Sequence, residues 1–197
     1  MTQADAKTKI RCAFIELLTE KDFEKISIMD IVRRANVGRS TYYYHYFEQR
    51  EILNDVFEEV FRHFFEMHRG NASVYEASDE LEAIYDTSAS MVEYLLENNN
   101  LMKTLFFGSV AKKFEESYRH YFEQSYTALH PSKTTYDRYL CAYLCAGQFH
   151  LLETLVKNGC ETDRKDMTNL LFDINCLITR GLAKYHEDID ETRKIDG

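Results

Sequence analysis

The side chains with the most chemical potential lie between residues 27 and 46, in the run SIMDIVRRANVGRSTYYYHY. Its second half presents Arg39, Ser40, Thr41, Tyr43, Tyr44 and His45, all hydrogen-bond donors, with no carboxylate among them. A donor-rich surface without acids suits a polyanion whose groove edges are rich in acceptors. The alternative is a helical hairpin whose tyrosines pack on the following helix, and Tyr42 and Tyr46, four apart, are expected to do that. A tyrosine triplet with Arg39 and His45 is harder to account for as surface filler.

Other combinations lead to less. Cys141 and Cys145 stand one helical turn apart with His150 nearby, but structural zinc takes four ligands and no second pair completes a set. Buried single thiols are the expected account. On the fourth helix His63, Glu66, Met67 and His68 are close in sequence, yet HxxxxH does not bring both rings to one face as HExxH does. No metal and no cofactor are expected. GxSxG, the P-loop and GxGxxG are all missing, and no nucleophile is paired with a base at local spacing, so an enzyme is not expected.

The run is positioned by helices. Seven glycines and one proline in 197 residues leave too few turns for a sandwich or barrel, so the fold class is all-α. The first helix is expected over about 5–20, with Ile10, Phe14, Leu17 and Leu18 as its apolar stripe. Ser27, three residues before Asp30, is a candidate N-cap for a short second helix. Asn36 tolerates the left-handed conformation a tight interhelical turn demands. A third helix follows Gly38, and a fourth, about 49–68, buries Ile52, Leu53, Val56, Phe57, Val60, Phe61 and Phe64. Residues 69–78 read as a loop. Five more helices are expected over about 79–98, 100–109, 111–128, 133–158 and 163–187. The breaks fall at Asn98-Asn99-Asn100, Gly108-Ser109, His130-Pro131-Ser132 and Asn158-Gly159. The functional division is drawn as a helix-turn-helix domain at 1–50 and a helical body at 51–197.

Net charge is −9, but it is unevenly spread: residues 1–50 hold nine Lys/Arg against seven Asp/Glu, and the remainder is strongly acidic. Such asymmetry is compatible with a nucleic-acid arm on an acidic body. Five scattered cysteines suit reduced thiols in a cytoplasmic protein. No run of apolar residues is long enough for a membrane span, and the charged N-terminus does not resemble a signal peptide.

Helix, four-residue turn and helix is helix-turn-helix spacing, and the residues in it are specific. Ser27, Ile28, Ile31-Val32, Ala35-Asn36-Val37-Gly38, Thr41, Tyr43, His45-Tyr46 and Ile52-Leu53 follow without gaps the pattern of the TetR-type (TetR/AcrR) one-component transcriptional regulators. Over about 8–65 the chain resembles their N-terminal domain. The resemblance implies that Ser27, Thr41 and the Tyr43 hydroxyl bind phosphate oxygens, that Arg39, Ser40 and Tyr44 face base edges, and that His45 faces the backbone. Three positions depart from the pattern. Asn36 replaces a glycine, Gly38 replaces the serine that caps the recognition helix, and the basic residue opening the fourth helix falls on Gln49, with Arg50 one step later.

The resemblance further implies a C-terminal body that binds a small-molecule effector and forms a homodimer. Residues 141–159 are similar to one C-terminal subtype of the family, with Leu155 where a tryptophan is usual. Tyr143, Gly147, Leu151 and Leu155 on one helix, and Ile174, Leu177 and Ile178 on the last, are candidates for a dimer seam or for intrachain core. Tyr94, Phe106, Phe107, Tyr118, Phe122 and Phe149 are candidates for an effector pocket or for plain core. The expected activity is that of a repressor that grips a palindromic double-stranded operator and is released by its effector. An adaptor with weakened DNA binding, acting through protein partners, is the alternative.

Overall fold

The computed structural model describes residues 3–72, 80–129, 135–158 and 163–178, and all regular structure among them is helical. In chain order the helices are α1 (Gln3–Glu20), α2 (Ile28–Ala35), α3 (Arg39–His45), α4 (Gln49–Ala72), α5 (Glu80–Glu97), α6 (Asn99–Phe107), α7 (Ala111–Leu129) and α8 (Thr135–Lys157). A 3-10 turn at Phe23–Lys25 joins α1 to α2, and residues 164–178 form a further helix, α9. The expected turn at 130–132, the end of the last helix beyond 178 and the loop residues 73–78 lie outside the described residues.

One boundary differs from expectation: α4 runs on through Ala72, where a loop was expected from residue 69. Arg69, Asn71 and Ala72 are compatible with a helix, and one glycine in its interior costs about 1 kcal/mol relative to alanine. Polar composition alone therefore does not stop it.

By internal contacts the chain divides into two compact units, 1–65 with 98–158, and 66–97 with 159–197. The first is built around two apolar stripes. Ile10, Phe14, Leu17 and Leu18 of α1 are buried, as are Ile52, Leu53, Val56, Phe57, Val60, Phe61 and Phe64 of α4, so both helices present the face their periodicity demands. Against α4 lies a cluster of rings. Phe114 contacts Phe57, Phe61 and Phe106 with centroids 5.2–5.3 Å apart, and Phe149 sits 5.1 Å from both Phe106 and Tyr118. Phe57 and Phe106 meet Phe114 edge-to-face and Phe61 stacks on it, and pairs of these two kinds add about 0.5–1.5 kcal/mol each beyond area burial.

The turn between α6 and α7 fixes the segment before α2. The Phe23 amide donates to Ser109 Oγ at 2.9 Å, while Lys113 pairs with Glu24 at 3.0 Å and lies 4.4 Å from the Phe23 ring centroid. Gly108 makes this turn possible: a Cβ there would stand 2.5 Å from the Thr104 carbonyl oxygen.

In the second unit, α5 buries Ile84, Met91, Val92 and Leu95, and α9 buries Met167, Leu171 and Cys176. Asn175 donates to the buried Ser88 hydroxyl at 3.2 Å, Tyr85 meets Phe172 edge-on, and Arg164 pairs with Glu93 at 2.8 Å.

Candidate nucleic-acid interface

α2 is the firmly built half of the hairpin. Ser27 Oγ accepts from the Asp30 amide at 3.1 Å and the Asp30 carboxylate accepts from the Ser27 amide at 2.9 Å, a reciprocal capping box. The same carboxylate takes Lys21 Nζ at 2.8 Å and the Ser27 hydroxyl at 2.7 Å. Lys21 foremost, then Ser27, hold the Asp30 carboxyl well below the usual carboxylate range. Ser27 is thus the N-cap expected of it, with its hydroxyl donating to the Asp30 carboxylate.

At the other end Asn36 adopts φ 52°, ψ 49°, the left-handed turn expected of it. Arg34 fastens α2 to α1 through Glu16 at 3.1 Å and Glu20 at 2.7 Å. Gly38 is the N-cap of α3 and supplies no side-chain bond.

The short α3 divides its side chains cleanly. Tyr42 is fully buried and Tyr46, just past the helix, nearly so; the Tyr46 hydroxyl donates to Asp55 of α4 at 2.8 Å. This is the packing expected of that pair. On the opposite side Arg39, Ser40, Tyr43 and Tyr44 are exposed, Tyr44 to 67%, and Thr41 and His45 are half-exposed. Tyr44 and His45 meet edge-on at 5.0 Å. The helix carries no acid, and the Glu51 carboxylate is occupied by the Phe47 amide at 2.6 Å.

The charges sort themselves in the same way. Of the basic residues between 25 and 50, Lys25 pairs with Asp22 and Arg34 with Glu16 and Glu20. Arg33, Arg39 and Arg50 form no ion pair among the described residues. The Gln49 amide donates to the Ile26 carbonyl at 2.7 Å, tying the start of α4 to the segment before α2, and Arg50 beside it is exposed.

Sequence reading missed two residues at this surface. Phe47, 78% exposed, and Met29, 39% exposed, flank α3. A search for donors passes over apolar side chains. The available signal for Phe47 was its place between buried Tyr46 and the start of α4, where no helical stripe accounts for a large ring.

The candidate pocket residues fall in two places. Phe106 and Tyr118 are buried, Phe122 and Phe149 are half-buried, and Phe107 is exposed, all in the first unit, whereas half-buried Tyr94 belongs to the second. The Tyr118 hydroxyl and Gln148 Oε1 are 3.1 Å apart, the hydroxyl donating. A cleft of about 790 Å³ does open in the first unit, lined from α1, α4 and α7 by charged residues such as Lys7, Arg11, Glu58 and Arg62 together with Phe57, Phe61 and Tyr121, and by none of those six.

Among the candidate seam residues Tyr143 is 76% exposed, Gly147 has open space at its Cβ position, and Leu151 and Leu155 are half-buried. On α9 Leu177 is 74% exposed, with Ile174 and Ile178 half-buried. Cys141 and Cys145 are buried, and desolvation raises both thiols, Cys145 to about 11. No three His, Cys, Asp or Glu side chains gather in a metal-holding group among the described residues; the side chains of Glu66, Met67 and His68 lie outside them. No described helix is long and apolar enough to cross a membrane.

Comparison with known proteins agrees with this geometry. No family model matches the chain. An uncharacterized HTH-type transcriptional regulator of Bacillus subtilis, YxbF, is 28% identical over 138 residues, covering 67% of this chain and 35% of its own length. The HTH-type dhaKLM operon transcriptional activator DhaS of Lactococcus lactis is 29% identical over 103 residues, covering 52% of this chain and 49% of its own. The matches thus span half or less of these relatives. Among solved structures, a TetR transcriptional regulator of Streptococcus agalactiae superposes with a TM-score of 0.57 at 22% identity, over 87% of this chain and 94% of that one. A putative TetR-family regulator of Syntrophomonas wolfei gives 0.61 at 17% identity, over 92% and 98%. NalD of Pseudomonas aeruginosa, described as the secondary repressor of the MexAB-OprM multidrug efflux pump, gives 0.56 at 21%, over 85% and 93%. The chain has the all-helical fold of the TetR-type transcriptional regulators.

Proposed function

We propose that this chain is a sequence-specific DNA-binding transcriptional regulator that acts as a homodimer on a palindromic operator. The observation that carries the reading is α3: a short helix following the firmly capped α2, its outward face made of Arg39, Ser40, Thr41, Tyr43, Tyr44 and His45 and free of acids. Arg39 is the candidate base reader, a bidentate pair with guanine being worth about 1–3 kcal/mol of discrimination. Thr41, Tyr43, His45 and Arg50 are candidates for the phosphate backbone, where each contact adds affinity that weakens with salt. With Gln49 held to Ile26, Arg50 is the cation available at the start of α4.

In this reading residues 1–50 form the reading head, and the body at 51–197 supplies the dimer and the effector site. The exposed Tyr143 and the open Gly147 favour a seam on α8, and within the other unit the exposed Leu177 makes α9 a candidate by itself. An effector that binds better to a dimer whose heads are spaced wrongly for DNA would release the operator by its differential affinity. Regulators of this fold work in both directions, NalD being described as a repressor and DhaS as an activator. Repression is favoured here because two heads seated on a promoter obstruct transcription by occupancy alone.

Fluorescence anisotropy on the upstream intergenic duplex against a scrambled duplex, across a salt series, tests the reading. Nanomolar, sequence-dependent binding that weakens for Arg39→Ala and Tyr43→Phe is the expected outcome. Equal, weak binding to both duplexes, insensitive to either substitution, would sink it for that target and turn attention to the adaptor alternative and a search for protein partners.

A further inference from the structure

Arg39 has no carboxylate partner among the described residues. Its Nε instead donates to the thioether of Met29, at 2.9 Å, across the hairpin from α3 to the first turn of α2. Thioether sulfur is a weak acceptor, so the bond leaves the guanidinium charge intact, whereas a carboxylate would neutralise it. Nη1 and Nη2, the two ends of the fork, have no partner among the described residues. The turn bearing Met29 is itself held by the Ser27–Asp30 capping box and by Lys21. The backbone that bears Met29 is therefore held, and the bond from Nε to its sulfur restricts the arginine that makes it.

We infer that Met29 is a positioning residue for base reading: by holding Nε of Arg39 it aims the Nη pair end-on at the O6 and N7 acceptors of a guanine in the major groove. The inference rests on the DNA-binding reading and extends it, because it assigns a geometry to the contact and a role to an apolar residue outside the donor set. An arginine is normally free to approach a base through either Nε–Nη or Nη–Nη. Engagement of Nε selects the second and reduces the rotamer freedom lost on docking.

The test starts from an operator selected out of random duplexes by the intact wild-type protein. Discrimination is the ratio of Kd values for the operator with its Arg39-dependent guanine replaced by 7-deazaguanine, which lacks the N7 acceptor, and for the unmodified operator. Arg39→Ala is expected to abolish this ratio. Met29→Leu keeps the bulk and removes the acceptor; it is expected to reduce the ratio about fivefold without changing the salt slope, and to do nothing further when Arg39 is already alanine. Met29→Gln, which restores an acceptor oxygen, is expected to recover part of the loss.

The inference is overturned if Met29→Leu leaves the ratio unchanged, or acts equally in the Arg39→Ala background. It is overturned too if selection succeeds but no guanine depends on Arg39; in each of these cases the DNA-binding reading survives. Failure of the wild-type protein to enrich any sequence would overturn both. Thermal midpoints of each variant separate a lost contact from a lost fold.

Discussion

Tyr42 carries a hydroxyl into the interior of the hairpin with no hydrogen-bond partner among the described residues, and an unsatisfied buried polar group costs about 1–3 kcal/mol. Its ring does the packing, meeting Tyr43 at 5.4 Å and Tyr46 at 6.3 Å. Tyr42→Phe keeps the ring and removes the orphan, so it is expected to raise stability by about 1 kcal/mol in urea unfolding, leaving the exposed face of α3 as it is. A pH signature accompanies the gain. Desolvation foremost, with the nearby Tyr43, Glu51 and Glu48, pushes the Tyr42 phenol up to about 12 from an ordinary 10.0. The folded chain therefore keeps this proton while the unfolded chain begins to release it near pH 10. The associated stability is full below pH 10 and drains away as pH rises toward 12. Tyr42→Phe should flatten that alkaline loss, and an unchanged alkaline limb would show that another group is responsible.

At the scale of the element, the two helices of the hairpin are stabilised unequally. α2 has a capping box, a left-handed Asn36 stop and Arg34 braced on α1. α3 has seven residues and a glycine cap with no side-chain bond. The space for a better cap exists. A Cβ on Gly38 would meet Ser40 Oγ and Thr41 Oγ1 at 3.7 Å, ordinary van der Waals contact, and the backbone there is extended at φ −73°, ψ 153°. Gly38→Ser is expected to stabilise the protein by a few tenths of a kcal/mol and to tighten operator binding by adding a hydroxyl at the cap; a lowered thermal midpoint would count against this.

The caps, Asn36 and the breaks at Asn98 and Gly108 were legible in the sequence because each rests on chemistry local to a few residues. The destinations of the charged side chains were not. Nothing local says that Arg34 finds Glu16 and Glu20, eighteen and fourteen residues away, or that Gln49 finds the Ile26 carbonyl. Those bonds decide which cations stay outside ion pairs on the hairpin among the described residues.

At the scale of the molecule, periodicity identifies which faces are covered but not what covers them. The stripes of α1 and α4 were legible, yet their inclusion in one compact unit with residues 98–158 depends on contacts such as Phe23 to Ser109, 86 positions apart. The aromatic residues between 94 and 149 were visible as candidates for core or pocket, and the pattern cannot separate the two, since both need apolar rings at helical spacing. The candidate seam poses the same ambiguity, and here the structure offers a discriminating substitution. Gly147 lies on the exposed side of α8 with nothing within 4 Å of where its Cβ would be. Within one chain Gly147→Glu has room, and replacing a mid-helix glycine favours the helix by up to about 1 kcal/mol. At a two-fold seam the same change sets two carboxylates facing each other where two helices need to cross closely. The expected result is a protein at least as heat-stable as the wild type at low concentration that sediments at 23.3 kDa instead of twice that mass. Its operator affinity should fall by about 100-fold or more as two tethered heads become two independent ones. A Gly147→Glu protein that stays dimeric would move the seam off this face of α8, and a monomeric wild type would remove the paired reading heads from the mechanism altogether.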